Sequence, residues 1–222
     1  MKKFISILLS LTLVFILSVP AFAIEHESSD NIEYLTVYDE ASHSVQAVKH
    51  NTITGEYIYG PSISVNDSDT NIEPTALGAD VHQDTFLNYE YDIWFNTQSG
   101  DEWNLERPNE VFSQAYFKTY QNDNNYNMLK EYKSDVDSLN AAEWAAIPLI
   151  GVAGFNIVKA AITSHAALVS GGVLSAAAIA SIKSAVTATG AASVAIGLVC
   201  STYNDCTISY KNVLKNTDNI HY

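Results

Sequence analysis

Residues 144–204 read WAAIPLIGVAGFNIVKAAITSHAALVSGGVLSAAAIASIKSAVTATGAASVAIGLVCSTYN, and they hold only two charged side chains, Lys159 and Lys183. Alanine, glycine, valine and isoleucine dominate the stretch, so it reads as apolar helix. Ser170-Gly-Gly172 is the natural break, and Ser175 can cap a second helix by accepting a backbone N–H. The spacing predicts a helical hairpin, with arms at about 141–169 and 176–203. Pro148 lacks an amide hydrogen and is expected to kink the first arm. Gly171, Gly172 and Gly190 are the other expected hinges. Each arm would be about 40 Å long against a hydrocarbon core of about 30 Å.

Two physical readings suit such a hairpin. Small residues let helix backbones approach closely, which makes a soluble core. The same arms are apolar enough to enter a bilayer, although Asn156, Lys159 and His165 penalise the first. In the membrane reading, Trp144, Leu149, Ile150, Phe155 and Ile162 enter lipid from the first arm. Leu174, Ile179, Val194, Ile196 and Leu198 enter from the second, while Lys159 and Lys183 snorkel or line a pore. Protonation of His165 at mildly acidic pH would bias insertion.

The preceding half differs sharply. Residues 24–140 carry 22 acidic and 5 basic side chains, whereas residues 141–222 carry 3 and 4. That acidity argues against nucleic acid, whose phosphates attract basic surfaces. It also disfavours adsorption of this half to anionic lipid. Short β-like runs cover 33–64, with a turn at 51–55. Residues 66–80 read as a loop. The clearest strand is 86–95, with Leu87, Tyr89, Tyr91, Ile93 and Phe95 on one face. A turn at 99–101 leads into a returning strand over 103–107, and 112–120 is a further strand or short helix. Tyr91, Trp94 and Trp103 are expected in the β core. Met128, Leu129, Tyr132, Val136 and Leu139 then recur at helical spacing, and Asn140-Ala-Ala-Glu143 resembles a capping box, which marks a second helix start or lies within one continuous helix.

The first 23 residues have the form of a secretory signal: Lys2 and Lys3, an apolar run, then Ala21-Phe22-Ala23. Cleavage after Ala23 removes two of the 11 basic residues and none of the 25 acidic ones, so the formal charge moves from −14 to −16. A secreted, extracellular location is expected. Export makes a disulfide between Cys200 and Cys206 the expected state. Six helical residues rise about 9 Å and a disulfide needs Cα atoms within about 6.8 Å, so the bond requires the helix to end near 201–205.

Motifs for chemistry are lacking. There is no nucleophile elbow and no phosphate-cradling glycine loop. The six histidines are scattered, and none pairs with another at metal-ligand spacing. Asp67, Asp69 and Asn71 mimic the start of a calcium loop, but Ile72 and Gly78 stand where glycine and glutamate are required. Neither an enzyme, a cofactor nor a resident metal is expected.

A specific resemblance emerges from the order of several short runs: NYEYDIW (88–94), EWNLERP (102–108), YFKTY (116–120), VDSLN (136–140), AEWA (142–145), SGG (170–172) and AAAIA (176–180). Together they resemble the geobacillin-type large bacteriocins of Gram-positive bacteria, over roughly residues 85–205. The resemblance implies a secreted, unmodified antimicrobial protein. Its partners would be the membrane of related target bacteria and a cognate immunity protein. It implies no catalytic residues and does not extend to 24–84.

The expected organisation is therefore α+β: an antiparallel β-rich module followed by an apolar helical hairpin. Its parts are a signal peptide (1–23), a disordered N-terminus (24–32), the β-rich module (33–121), a linking helix (122–140), the hairpin (141–206) and a tail (207–222). The expected function is membrane perturbation through the hairpin. The rival is a secreted binding or envelope-associated protein whose hairpin is a permanent core.

Overall fold

A computed structural model describes residues 31–65, 78–108, 111, 115–169, 171–186 and 188–222. The signal segment with Ala23, the N-terminus as far as residue 30, the 66–77 loop with Asp67, Asp69 and Asn71, and Ser170 lie outside the described residues. The fold is α+β, with two antiparallel sheets preceding the helices.

The first sheet has three strands in sequence order, β1 (Ile32–Asp39), β2 (Ser44–Asn51) and β3 (Tyr57–Ser64). The turn at 51–55 forms as expected. Asn51 Oδ1 accepts the backbone N–H of Ile53 and Thr54, and Gly55 adopts φ +70°. β1 alternates cleanly. Tyr34, Thr36 and Tyr38 face inward, while Leu35 and Val37 face solvent.

The second sheet has the order β4 (Val81–Asp84), β5 (Glu90–Thr97), β6 (Gly100–Glu106), β7 (Tyr116–Tyr120) and β8 (Ile220–His221). The expected strand at 86–95 therefore starts four residues late. Phe86 to Asn88 form the β4–β5 turn, with Asn88 at φ +60°. Leu87, Tyr89, Tyr91 and Ile93 are buried as alternation implies, but Phe95 is exposed. Tyr91 and Trp103 enter the core, and Trp94 stays half-buried.

The helical layer departs from the expected hairpin in four ways. First, the linking helix and the first arm run on as α1 (Tyr126–Leu168). Asn140 caps nothing there; its Nδ2 donates to the Asp84 carbonyl. Second, the interruption falls at Gly151 (φ 72°, ψ 165°) and not at Pro148. Proline removes a backbone bond, but only glycine adopts that left-handed φ without strain, so the bend is released three residues later. Third, the second arm is two helices, α2 (Ala176–Ala185) and α3 (Gly190–Asn216). Gly190, with φ +57°, is the first residue of α3. Ser175 does cap α2, accepting from Ala178 N–H at 3.2 Å. Fourth, the tail is no tail: α3 continues to Asn216, and the chain then adds β8 to the edge of the second sheet.

The continuity of α3 also overturns the disulfide. Cys200 and Cys206 are both buried inside one unbroken helix, and both are free thiols. Burial pushes the Cys200 thiol up to about 12 and raises Cys206 well above its ordinary value. Both behave as small apolar residues.

The two sheets dock on different parts of α1. Tyr132 donates to the carbonyls of Glu90 and Glu106 at 3.0 and 2.6 Å, fixing the first half of the helix to the second sheet. Further along, Ser164 Oγ donates to the Pro61 carbonyl at 2.6 Å and accepts from Ala47 N–H at 2.8 Å. Gly60 permits that approach: a Cβ there would sit 2.7 Å from the Ser164 carbonyl oxygen. α3 runs antiparallel to α1. Tyr132 meets Tyr210 edge-on at 5.8 Å, and the Asp135 carboxyl lies beside Ser209.

Candidate functional site

The antiparallel packing of α3 on α1 brings the beginning of α3 alongside the Gly151 break. An added Cβ at Gly154 would lie 3.8 Å from Val186, just before α3 begins. The end of the helical layer at this elbow is built from residues 144–155, 186 and 188–198, which contain no charged side chain. Its surface is apolar. Trp144 is 56% exposed, Leu149 50% and Val194 61%, and Val152 and Leu198 are also exposed. Trp144 leans edge-on against Phe86 with ring centroids 5.3 Å apart, which leaves the rest of the indole in solvent.

The expected membrane-entering residues are thus divided between surface and core. Trp144, Leu149, Val194 and Leu198 are exposed, and Ile150 is half-buried against the rest. Phe155, Ile162, Leu174 and Ile196 are fully buried, and Ile179 packs partly buried beside them. Lys159 and Lys183 are half-buried. Lys183 lies across α3, close enough that a Cβ on Gly197 would meet its Nζ at 2.7 Å. The apolar stem is covered while the ammonium reaches out. The Gly171–Gly172 break is as expected, with φ +86° and +76°. Asn204 fastens the segment after it, accepting from Leu174 N–H at 2.7 Å and donating to its carbonyl at 2.9 Å.

One carboxyl beneath the elbow, Glu143, is expected from the sequence to close a capping box with Asn140, and α1 runs on through both. Glu143 is fully buried and accepts the N–H groups of Phe86 and Leu87 at 2.8 and 2.9 Å. It ties α1 to the β4–β5 turn one turn of helix before Pro148. Burial raises its pKa to about 8, although the two backbone donors and Lys159 oppose that rise. The sequence motif thus marks the right residue but assigns it a local partner, where the fold gives it the β4–β5 turn.

His165 contradicts the expected acid trigger. It is fully buried, and its Nε2 bonds Thr36 Oγ1 at 2.9 Å, with Ser181 Oγ 2.7 Å from the same hydroxyl. Burial lowers its pKa to about 4, so it stays neutral at mildly acidic pH.

By length and composition α1 could cross a membrane, a test that the core helix of a soluble protein also passes; 39% of its most apolar stretch is buried. No protein-family model matches the chain, and neither does any curated protein or solved structure.

Proposed function

We propose that this protein is a secreted, non-enzymatic antibacterial of the large-bacteriocin type, which perturbs the membrane of related bacteria with the elbow at Gly151 entering first. The supporting observation is the exposed, uncharged surface formed by Trp144, Leu149, Val152, Val194 and Leu198. Large apolar side chains exposed together at one end of a helical layer suit a protein or membrane contact. Burying these five half-exposed side chains would yield roughly 4–7 kcal/mol. That is comparable with one myristoyl chain, which gives reversible adsorption and no permanent anchoring. The elbow thus suits a protein that is soluble on export and adsorbs on encounter. The acidic remainder of the chain faces away from lipid on this reading.

A second reading has its own support. Phe155, Ile162, Leu174, Ile182 and Ile196 are fully buried, as in a permanent core. A secreted binding protein using the elbow against another protein would look the same.

Dye release from vesicles of bacterial lipid, run beside growth inhibition of a Gram-positive panel, separates the two. The membrane reading expects leakage at the concentrations that inhibit growth, with Trp144 quenched by brominated lipid. Intact vesicles and an unquenched Trp144 would favour the binding protein.

A further inference from the structure

A second cluster lies on the face of the five-stranded sheet turned away from the helices. Alternation puts His82 and Asp84 of β4, Glu90 and Asp92 of β5, and Asn104 and Glu106 of β6 on this one face. Register then sets His82 opposite Asp92, Asp84 opposite Glu90, Glu90 opposite Glu106, and Asp92 opposite Asn104.

The geometry is compact. One ligand-type atom from each of His82, Glu90 and Asp92 lies within 4.8 Å of the other two. His82 Nδ1 is 2.8 Å from Asp92 Oδ1 and 3.7 Å from Glu90 Oε1, and its Nε2 is 4.0 Å from Asp84 Oδ2. Among the described residues, the charged-group contacts of Asp84, Glu90 and Asp92 all run to this one imidazole, and Lys118 meets Glu102 at 3.3 Å instead. An independent sign comes from Asn104. Its side chain is 8% exposed, yet its buried Oδ1 accepts no hydrogen bond. Burying an amide oxygen without a donor is unfavourable. The same oxygen is a good cation ligand.

We propose that His82, Glu90 and Asp92 bind a divalent transition-metal cation of the zinc class, with Asn104 Oδ1 beside them as a neutral oxygen donor. The donor set decides the class: imidazole with carboxylate oxygens suits Zn²⁺, whereas Ca²⁺ and Mg²⁺ take oxygen alone. The size agrees too. Metal–ligand bonds of about 2.0–2.2 Å place tetrahedral donors roughly 3.3 Å apart, within the spread of the separations found. The cation would cross-link β4 to β5 and, through Asn104, to β6. Binding would displace protons from the cluster, so affinity rises with pH. This site stands apart from the membrane reading and survives its failure.

The full chain, stripped with chelator, is titrated with Zn²⁺ alone by calorimetry, then with Co²⁺ for its visible d–d bands. One equivalent is expected, with proton release, a higher melting temperature and the spectrum of nitrogen-and-oxygen ligation. Glu90→Gln keeps the shape and should weaken binding about tenfold or more, and Asn104→Ala should weaken it less. His82→Ala should abolish the Co²⁺ bands; should that variant unfold, Glu90→Gln decides. Uptake that is unchanged by Glu90→Gln, or Ca²⁺ binding as tight as Zn²⁺ binding, overturns the proposal.

Discussion

The two halves of α1 are held in different ways. Residues 126–143 pack aromatic and charged side chains against the second sheet: Tyr132 under β5 and β6, Lys133 and Asp137 on the Tyr91 hydroxyl, Tyr210 wedged between Phe117 and Tyr132. Residues 144–168 are alanine-rich, bend at Gly151, and expose one side before passing under the first sheet. Directional bonds and large rings specify one arrangement. Small apolar residues tolerate several, because little is lost when they slide. The molecule therefore joins a rigid half to a half that can adapt.

The contrast can be broken most decisively by stability. Tyr132→Ala should cost about 3–5 kcal/mol, from lost volume and two orphaned carbonyls, whereas Ile179→Ala in the half-buried α2 should cost clearly less. Chemical denaturation measures both, and equal losses would erase the distinction. The next effect concerns the adaptable half. Leu149→Asp should leave folding intact but reduce vesicle leakage by about 100-fold, since an aspartate in lipid costs roughly 3 kcal/mol. Unchanged leakage would remove the elbow from the mechanism.

Glu143 sits where the halves meet. Glu143→Gln leaves one of the Phe86 and Leu87 donors facing an amide N–H, and should destabilise by about 1–3 kcal/mol. The pH response has a definite sign. Glu143, Glu90 and Asp135 are raised to about 8, 7 and 6, each above its ordinary value. Their contribution is complete below the unfolded pKa values, near 4, and is lost as pH climbs through 6 to 8. His165, lowered to about 4, acts oppositely: its contribution is present above about 6.5 and is lost toward 4. Three carboxyls outweigh one imidazole, so melting temperature in chelator should fall from pH 5 to pH 8. In Glu143→Gln that fall should be shallower. Smallest is Gly151→Ala. The positive φ predicts a loss of about 1 kcal/mol, with a straighter α1 and altered leakage.

What could be read from the sequence was local. Alternation at Tyr91 and Ile93, the 3.6-residue recurrence of Leu129, Tyr132, Val136 and Leu139, and the Gly171–Gly172 break all depend on near neighbours, and each appears in the fold. The misses are long-range. Nothing near Ile220 announces a partner in Thr119, and nothing near Glu143 announces the turn at Phe86. The bend went to Gly151 because proline states where a bond is missing and glycine where the chain can yield. The expectation of export alone favours bonded cysteines, while helix continuity across them goes with burial of Tyr203, Thr207 and Tyr210. His82, Glu90 and Asp92 look scattered along the chain because strand register, not sequence spacing, gathers them.

The pairing of β8 with β7 has a topological consequence. Thr119 Oγ1 donates to Asn219 Oδ1 at 2.7 Å and Asn219 Nδ2 reaches the Tyr120 carbonyl at 2.9 Å, so α1, α2 and α3 form a lasso tied at its base by β7 and β8. The loop is fastened from within as well, because Tyr132 and Glu143 hold the first half of α1 to the same sheet and its β4–β5 turn. Only two residue pairs, Lys118 with His221 and Thr119 with Ile220, form the strand part of that knot. Clipping the chain behind Asp218 would untie it while leaving every helix its full length.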